Sequence, residues 1–353
     1  MTAASPKPAV AVDAASLVRD VASIFAAAGV RREDAEVVGE DLVAADLEGV
    51  PSHGVMLVPM YLDRLLSGSI SKRPAGEIVK DQDGAIVIDA ANAFGQLTAR
   101  QAVLLAASRA RKAGLAAVAV RNAFHFGTAG RYARMIAGEG CIGIVMSNTR
   151  PLMPVPGGAE ALVGNNPIAI ALPTLGDYPA EVDLAMSATA MGKIRLAAAA
   201  GNPIPEGWAA DSEGRSTTDP SAAIRGMLLP AAGPKGFGLA FMIDMLSGGL
   251  SGGAVGAEVK PLYGDASQPY NCSQLFIAID VSHFAEENDF KSRVDTQLRR
   301  ISSSKRAPGI ERVYAPGELV HAMSKKSAGT CNVSPETMRS LTEAAMKVGV
   351  AIG

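Results

Sequence analysis

The sequence predicts an α+β chain rather than a regular βαβ array. Two observations carry this. Segments with 3.6-residue and two-residue apolar periodicity follow one another in irregular order. No G-x-G-x-x-G follows a strand pattern and opens a helix, so the usual dinucleotide fingerprint is missing. With 353 residues, 48% of them apolar, the chain is long enough for two domains or for one large domain with an insertion.

Residues 1–12 contain Ala, Pro and one Lys but no apolar h-region, and read as a disordered lead. Asp13 suits the N-cap of a helix with Leu17, Val18, Val21, Ile24 and Phe25 at helical spacing, ended by Gly29. A second helix is expected over Glu33–Leu47, stopped by Gly49, and a third from Pro59 to Gly68. These make a helical N-terminal region over 13–75. Asp83-Gly84 then marks a hairpin turn between Glu77–Lys80 and Ala85–Asp89.

A helix over Gln96–Ala113 leads into a strand at Leu115–Val120, a helix at Gly127–Gly138 and a strand at Cys141–Ser147. Prolines and glycines between Pro151 and Gly158 stiffen the next loop. Strands follow at Ile168–Leu172 and Glu181–Leu184, then a helix at Ala188–Ala200 and a loop-rich stretch over Gly201–Pro220. Lys235–Leu250 is a strongly apolar helix, and Glu258–Asn271 a polar surface loop. Leu275–Val281 is a strand; Phe284, Phe290, Val294, Leu298 and Ile301 mark an amphipathic helix. The segment 321–353 is a tail with a last helix starting at Ser334-Pro335-Glu336.

Composition narrows the function. The net charge is −2, aromatic residues are 5%, and no block of Lys or Arg resembles a phosphate-binding stripe, which argues against nucleic acid. The longest apolar stretches are too short or too interrupted to cross a bilayer. Cys141, Cys272 and Cys331 are far apart with no CxxC, so neither a disulfide framework nor a zinc site is expected, and no other metal; a reducing cytoplasm fits. P-loop, HExxH and GxSxG motifs are absent.

Several polar clusters interrupt the apolar segments. Ser52-His53-Gly54 places a histidine, able to exchange a proton near neutral pH, beside a hydroxyl in a glycine-containing turn; the same residues also suit a surface turn whose serine caps the next helix. His125-Phe126-Gly127-Thr128-Ala129-Gly130 opens a helix whose first N–H groups can hold a phosphate or carboxylate; a capped helix with a packed histidine accounts for the same residues. Asn148, Asn165 and Asn166 end or precede strands, where asparagines commonly form Asx turns. Lys235 stands at a helix start, against the macrodipole, so a nearby anion or plain solvation accounts for it.

In order, these clusters are Gly49-Val50-Pro51-Ser52-His53-Gly54, His125-Phe126-Gly127, Ser147-Asn148-Thr149, Asn165-Asn166-Pro167, Asp183, Gly192-Lys193, Pro205-Glu206-Gly207-Trp208-Ala209, Thr217-Thr218-Asp219-Pro220 and Pro234-Lys235-Gly236. As a set, over about residues 13 to 320, they resemble the malate/L-lactate dehydrogenase family of the non-Rossmann type. That family includes hydroxycarboxylate, sulfolactate and ureidoglycolate dehydrogenases and the piperideine/pyrroline-2-carboxylate reductases.

The resemblance implies a nicotinamide-binding fold with a mixed, largely antiparallel central sheet, NAD or NADP as cofactor, and a homodimer. It implies a cofactor- and substrate-binding core over 76–320, to which the N-terminal helices contribute Ser52-His53. His53 would be the proton donor and acceptor, with Ser52 assisting. Leu57, Tyr61 and Asn165 fall at substrate-side positions. His125, Phe126, Gly127, Thr128 and Ala129 would line the cofactor, with Asp183, Leu184 and Ala185 and the pair Pro234-Lys235; Tyr314 to Glu318 match more loosely.

Two positions depart from many relatives. Leu57 stands where an arginine clamps the substrate carboxylate, and Asn165 where threonine is common. The expected activity is interconversion of 2-oxo and 2-hydroxy acids. Reduction of cyclic imines such as piperideine- or pyrroline-2-carboxylate is the alternative, weakened because Lys193 replaces an aspartate those reductases can carry. A catalytically silent dimeric binding protein is a third reading.

Overall fold

Val10–Asp13 forms strand β1, paired antiparallel with Thr330–Val333 near the other end of the chain. The structure, a computed structural model, describes residues 9–353. The disordered lead expected over 1–12 therefore falls outside the described residues for 1–8, and Val10–Val12 correct it: they are strand. Both short strands depend on a partner at the opposite terminus, which local patterning does not reveal.

Asp13 caps α1 (Ala14–Ala27) through a 2.8 Å bond from Ser16 N–H. Then come α2 (Arg32–Leu47), a tight turn at Pro51–His53, a second at Val55–Leu57, and α3 (Val58–Leu66). The hairpin β2 (Glu77–Gln82) and β3 (Ala85–Asp89) precedes α4 (Gly95–Ala113), β4 (Leu115–Ala123), α5 (Ala129–Gly138) and β5 (Cys141–Ser147). The proline loop carries two short strands, β6 (Met153–Pro154) and β7 (Ala161–Val163), before β8 (Ile168–Leu172) and β9 (Ala180–Leu184).

Next are α6 (Met191–Ala200), β10 (Ala209–Ala210), β11 (Ser216–Thr217), α7 (Pro220–Arg225) and β12 (Met227–Leu228). The apolar helix α8 (Pro234–Asp244) widens into a π turn over Met245–Gly249. The chain closes with β13 (Cys272–Asp280), α9 (Glu287–Ser302), α10 (Glu318–Ser327), β14 (Thr330–Val333) and α11 (Pro335–Lys347).

The main sheet has seven strands in the order β2-β3-β4-β13-β5-β8-β9. Only β3 and β4 run parallel; every other neighbouring pair is antiparallel, so the mixed, largely antiparallel sheet and the α+β class hold. The central strand β13 shows why both faces are covered. Phe276 and Ala278 face a core built with α1 to α5, while Leu275 and Ile277 face a second core with α6 and α8. Leu341, Ala344 and Ala345 of α11 join the first core, so the N-terminal helices and the C-terminal helix pack as one layer with the sheet. Among the described residues no helix is long and apolar enough to cross a membrane.

Candidate active site

Two histidines meet where the N-terminal layer touches the sheet. His53 sits in the tight turn between α2 and α3, and His125 in the loop between β4 and α5. Their rings stack with centroids 5.4 Å apart and planes 26° from parallel. Ser52 Oγ lies 3.0 Å from His53 Nδ1, in hydrogen-bond contact. On the other ring, Tyr61 Oη lies 2.7 Å from His125 Nδ1, and Gln96 Nε2 donates to Tyr61 Oη at 3.3 Å.

Burial lowers the pKa of His53. For His125, burial and then the charge of His53 push it down to about 3, so His125 is neutral across the physiological range. Burial drives the Tyr61 phenol far up, leaving it a fixed hydroxyl. The pair thus offers one ring that can exchange a proton and one that stays neutral beside it.

Aromatic packing holds the His125 loop. Phe126 is buried, stacked on Tyr132 with centroids 5.1 Å apart, and the Tyr132 hydroxyl donates to the Phe126 carbonyl at 2.7 Å. Asp41 of α2 anchors the same region, accepting from Arg100, Arg131 and Tyr132. The expected place of Phe126 along a cofactor is therefore corrected: its ring belongs to the core, as does the buried methyl of Ala129. Gly127 and Thr128 remain partly open, with Gly127 at φ +90 and open space where a side chain would stand.

An arc of contacts leads onward. The Asp183 carboxylate accepts the Gly130 N–H at 2.8 Å, so the chain's own carboxylate takes one of the first N–H groups of α5, in line with the capped-helix alternative. Asp183 is open to solvent as a residue, but its carboxyl end turns inward, and burial raises it to about 6. Leu184 and Ala185 are exposed. Met186 then donates its N–H to Asn165 O at 2.8 Å and accepts from Ala231 N at 2.9 Å, bringing Asn165, the end of β9 and the start of α8 side by side. Asn165 is partly open, its Oδ1 accepting from Thr149 Oγ1 at 3.0 Å.

Pro234 and Lys235 are exposed at the start of α8, and Lys235 has no carboxylate partner among the described residues. An unpaired ammonium at a helix start fits a dinucleotide's phosphates.

Two expected substrate-side residues lie elsewhere. Leu57 is 1% exposed and packs in the main core, because an apolar side chain here gains more from burial than from lining a polar cleft. Tyr61 is fully buried beneath His125 and orients that ring instead of meeting a ligand. Sequence reasoning missed Gln96, read only as a helix start, and Asp46, which carries no motif signal. Asn148 and Asn166 are buried struts: Asn148 bonds Asp244, Ala254 and Ser273, and Asn166 bonds Thr149 and Ala240.

Residues 12–342 match the malate/L-lactate dehydrogenase family. The chain belongs to that family. It is 38% identical over 339 residues to malate dehydrogenase of Pyrococcus abyssi, covering 94% of this chain and 92% of that one. It is 36% identical over 301 residues to the ureidoglycolate dehydrogenase (NAD(+)) of Escherichia coli, covering 85% and 86%. The solved sulfolactate dehydrogenase of Methanocaldococcus jannaschii superposes with a TM-score of 0.92 at 36% identity, over 97% of this chain and 98% of that one. Family relatives use NAD(+) or NADP(+).

Proposed function

We propose that this dehydrogenase interconverts a 2-oxo acid and a 2-hydroxy acid with NAD or NADP, His53 giving the proton to the substrate oxygen in reduction and removing it in oxidation. The observation that carries this is the His53–His125 stack, tied by Ser52 and Tyr61, at one end of the contact arc that reaches Lys235. When bound, the cofactor supplies or takes up the hydride at the substrate's C2. His53 balances the charge that the hydride leaves on oxygen. Ser52 holds the Nδ1 side of that ring, and the neutral His125 blocks a second positive charge beside it.

Gly127, Thr128, Leu184, Ala185, Pro234 and Lys235 present the open edge for the cofactor, and Asn165 the polar contact for substrate. A homodimer accords with the exposed apolar stripe of Leu239, Met242, Leu246 and Leu250 along α8 and its continuation.

The test is to screen oxo acids and cyclic imines with NADH and NADPH, beside His53→Ala. The variant is expected to bind cofactor normally and to lose roughly 10²–10⁴-fold in kcat. Near-wild-type turnover by the folded variant rejects His53 as the proton carrier.

A further inference from the structure

Asp46 occupies the last turn of α2, where the carbonyl end of the helix disfavours a negative charge, and no cation pairs with it among the described residues. Burial raises its carboxyl to about 6. An acid kept at such a place without an ion pair calls for a reason in the geometry.

Its Oδ2 accepts the N–H of Val55 at 2.8 Å. Val55 opens the tight turn that runs directly into α3, so this carboxylate serves as an N-terminal cap from nine residues upstream. Gly54 completes the fit. A Cβ there would run into the Asp46 carboxyl, and since φ is −96, the glycine answers a need for space rather than for a left-handed backbone.

Between α2 and this cap stand Pro51, Ser52 and His53. The near end is fixed by Val50 N–H donating to Ala45 O at 2.8 Å, and the turn by His53 N–H donating to Val50 O at 3.0 Å. At the far end, Asp46 supplies the one side-chain hydrogen bond among the described residues, beside the core packing of Val55 and Leu57. We infer that Asp46 is a positioning residue, clamping the Ser52–His53 turn so that the His53 ring is held face to face with His125. The inference rests on the proposed role of His53 for its effect on turnover, but the clamp itself does not.

Asp46→Ala and Asp46→Asn test it. Asparagine keeps a carbonyl oxygen for the Val55 N–H; alanine does not. Hydrogen exchange read over residues 51–57 is expected to be about tenfold faster in Asp46→Ala, and near wild type in Asp46→Asn. Turnover should follow the same order, falling about tenfold in Asp46→Ala with cofactor affinity by fluorescence within about twofold, and recovering in Asp46→Asn. Wild-type exchange in a folded Asp46→Ala protein overturns the clamp, as does an Asp46→Asn protein as loose as the alanine variant. Loss of cofactor binding together with a general loss of thermal stability overturns positioning in favour of a merely structural role. A loosened turn with unchanged kcat overturns the link to turnover, and a fully active His53→Ala control then traces that failure to the His53 reading.

Discussion

The imidazoles of His53 and His125 face each other at 5.4 Å, close enough that charging one opposes charging the other. Their surroundings resolve the competition. Buried Tyr61, itself held by Gln96, bonds His125 from the core side, whereas His53 sits in the turn with Ser52 on its Nδ1. The site keeps one titrating ring and one neutral one.

The pH dependence follows from the direction of these shifts. In the role proposed for His53, oxidation of a 2-hydroxy acid needs the neutral ring, and burial lowers its pKa below the ordinary 6.5, so the base is already free at neutral pH. The expected kcat/KM for oxidation rises through an apparent pKa below 6.5 and is flat from there to pH 8. Reduction should decline over the same window. A profile whose oxidation limb lies above pH 7 excludes His53 in this role.

His125 also sets a stability slope. Its folded pKa is about 3 against 6.5 for the free side chain, so the unfolded chain binds the extra proton between those values. A depressed pKa stabilises above the unfolded value and loses that contribution as pH falls toward the folded one. Wild type is expected to lose about 2 kcal/mol more than His125→Gln between pH 7 and pH 5. Urea unfolding at the two pH values measures it; parallel losses in both proteins mean that the ring does not stay neutral.

Most elements are legible in the sequence where the pattern is local. The α1 cap at Asp13, the β2–β3 hairpin and the Ser334-Pro335 start of α11 each follow from neighbours a few residues away. β1 and β14 are not legible, because each is four residues long and made stable only by the other. The ordered motifs locate His53, His125 and Lys235, but not which way a side chain turns. Phe126 sits within a motif segment and Leu57 three residues past one, and both still go to the core, since their own chemistry favours burial. Asp46 and Gln96 are single polar residues on helices, and become meaningful only when the fold sets them against Val55 and Tyr61.

Burial of Leu57 predicts a packing defect on truncation. With the side chain 1% exposed inside the main core, Leu57→Ala should cost about 2–4 kcal/mol, read as a shifted urea midpoint. An unshifted midpoint in Leu57→Ala contradicts the buried packing of this side chain.

Lys235 gives the sharpest test of where the phosphates lie. It is exposed at the start of α8 without a carboxylate partner among the described residues, so removing its charge sacrifices no ion pair in the free protein. The positive end of the helix dipole even predicts a slight gain in stability on substitution. A cofactor phosphate placed there would make a charge-assisted hydrogen bond, and Lys235→Ala should weaken reduced-cofactor binding on the order of tenfold. Because salt screens the wild-type attraction, the gap between wild type and variant should narrow as ionic strength rises from about 0.01 M to 0.5 M. Fluorescence titration at both salt concentrations measures the gap. Equal affinities in both would leave Lys235 a solvated side chain and move the phosphate site away from α8.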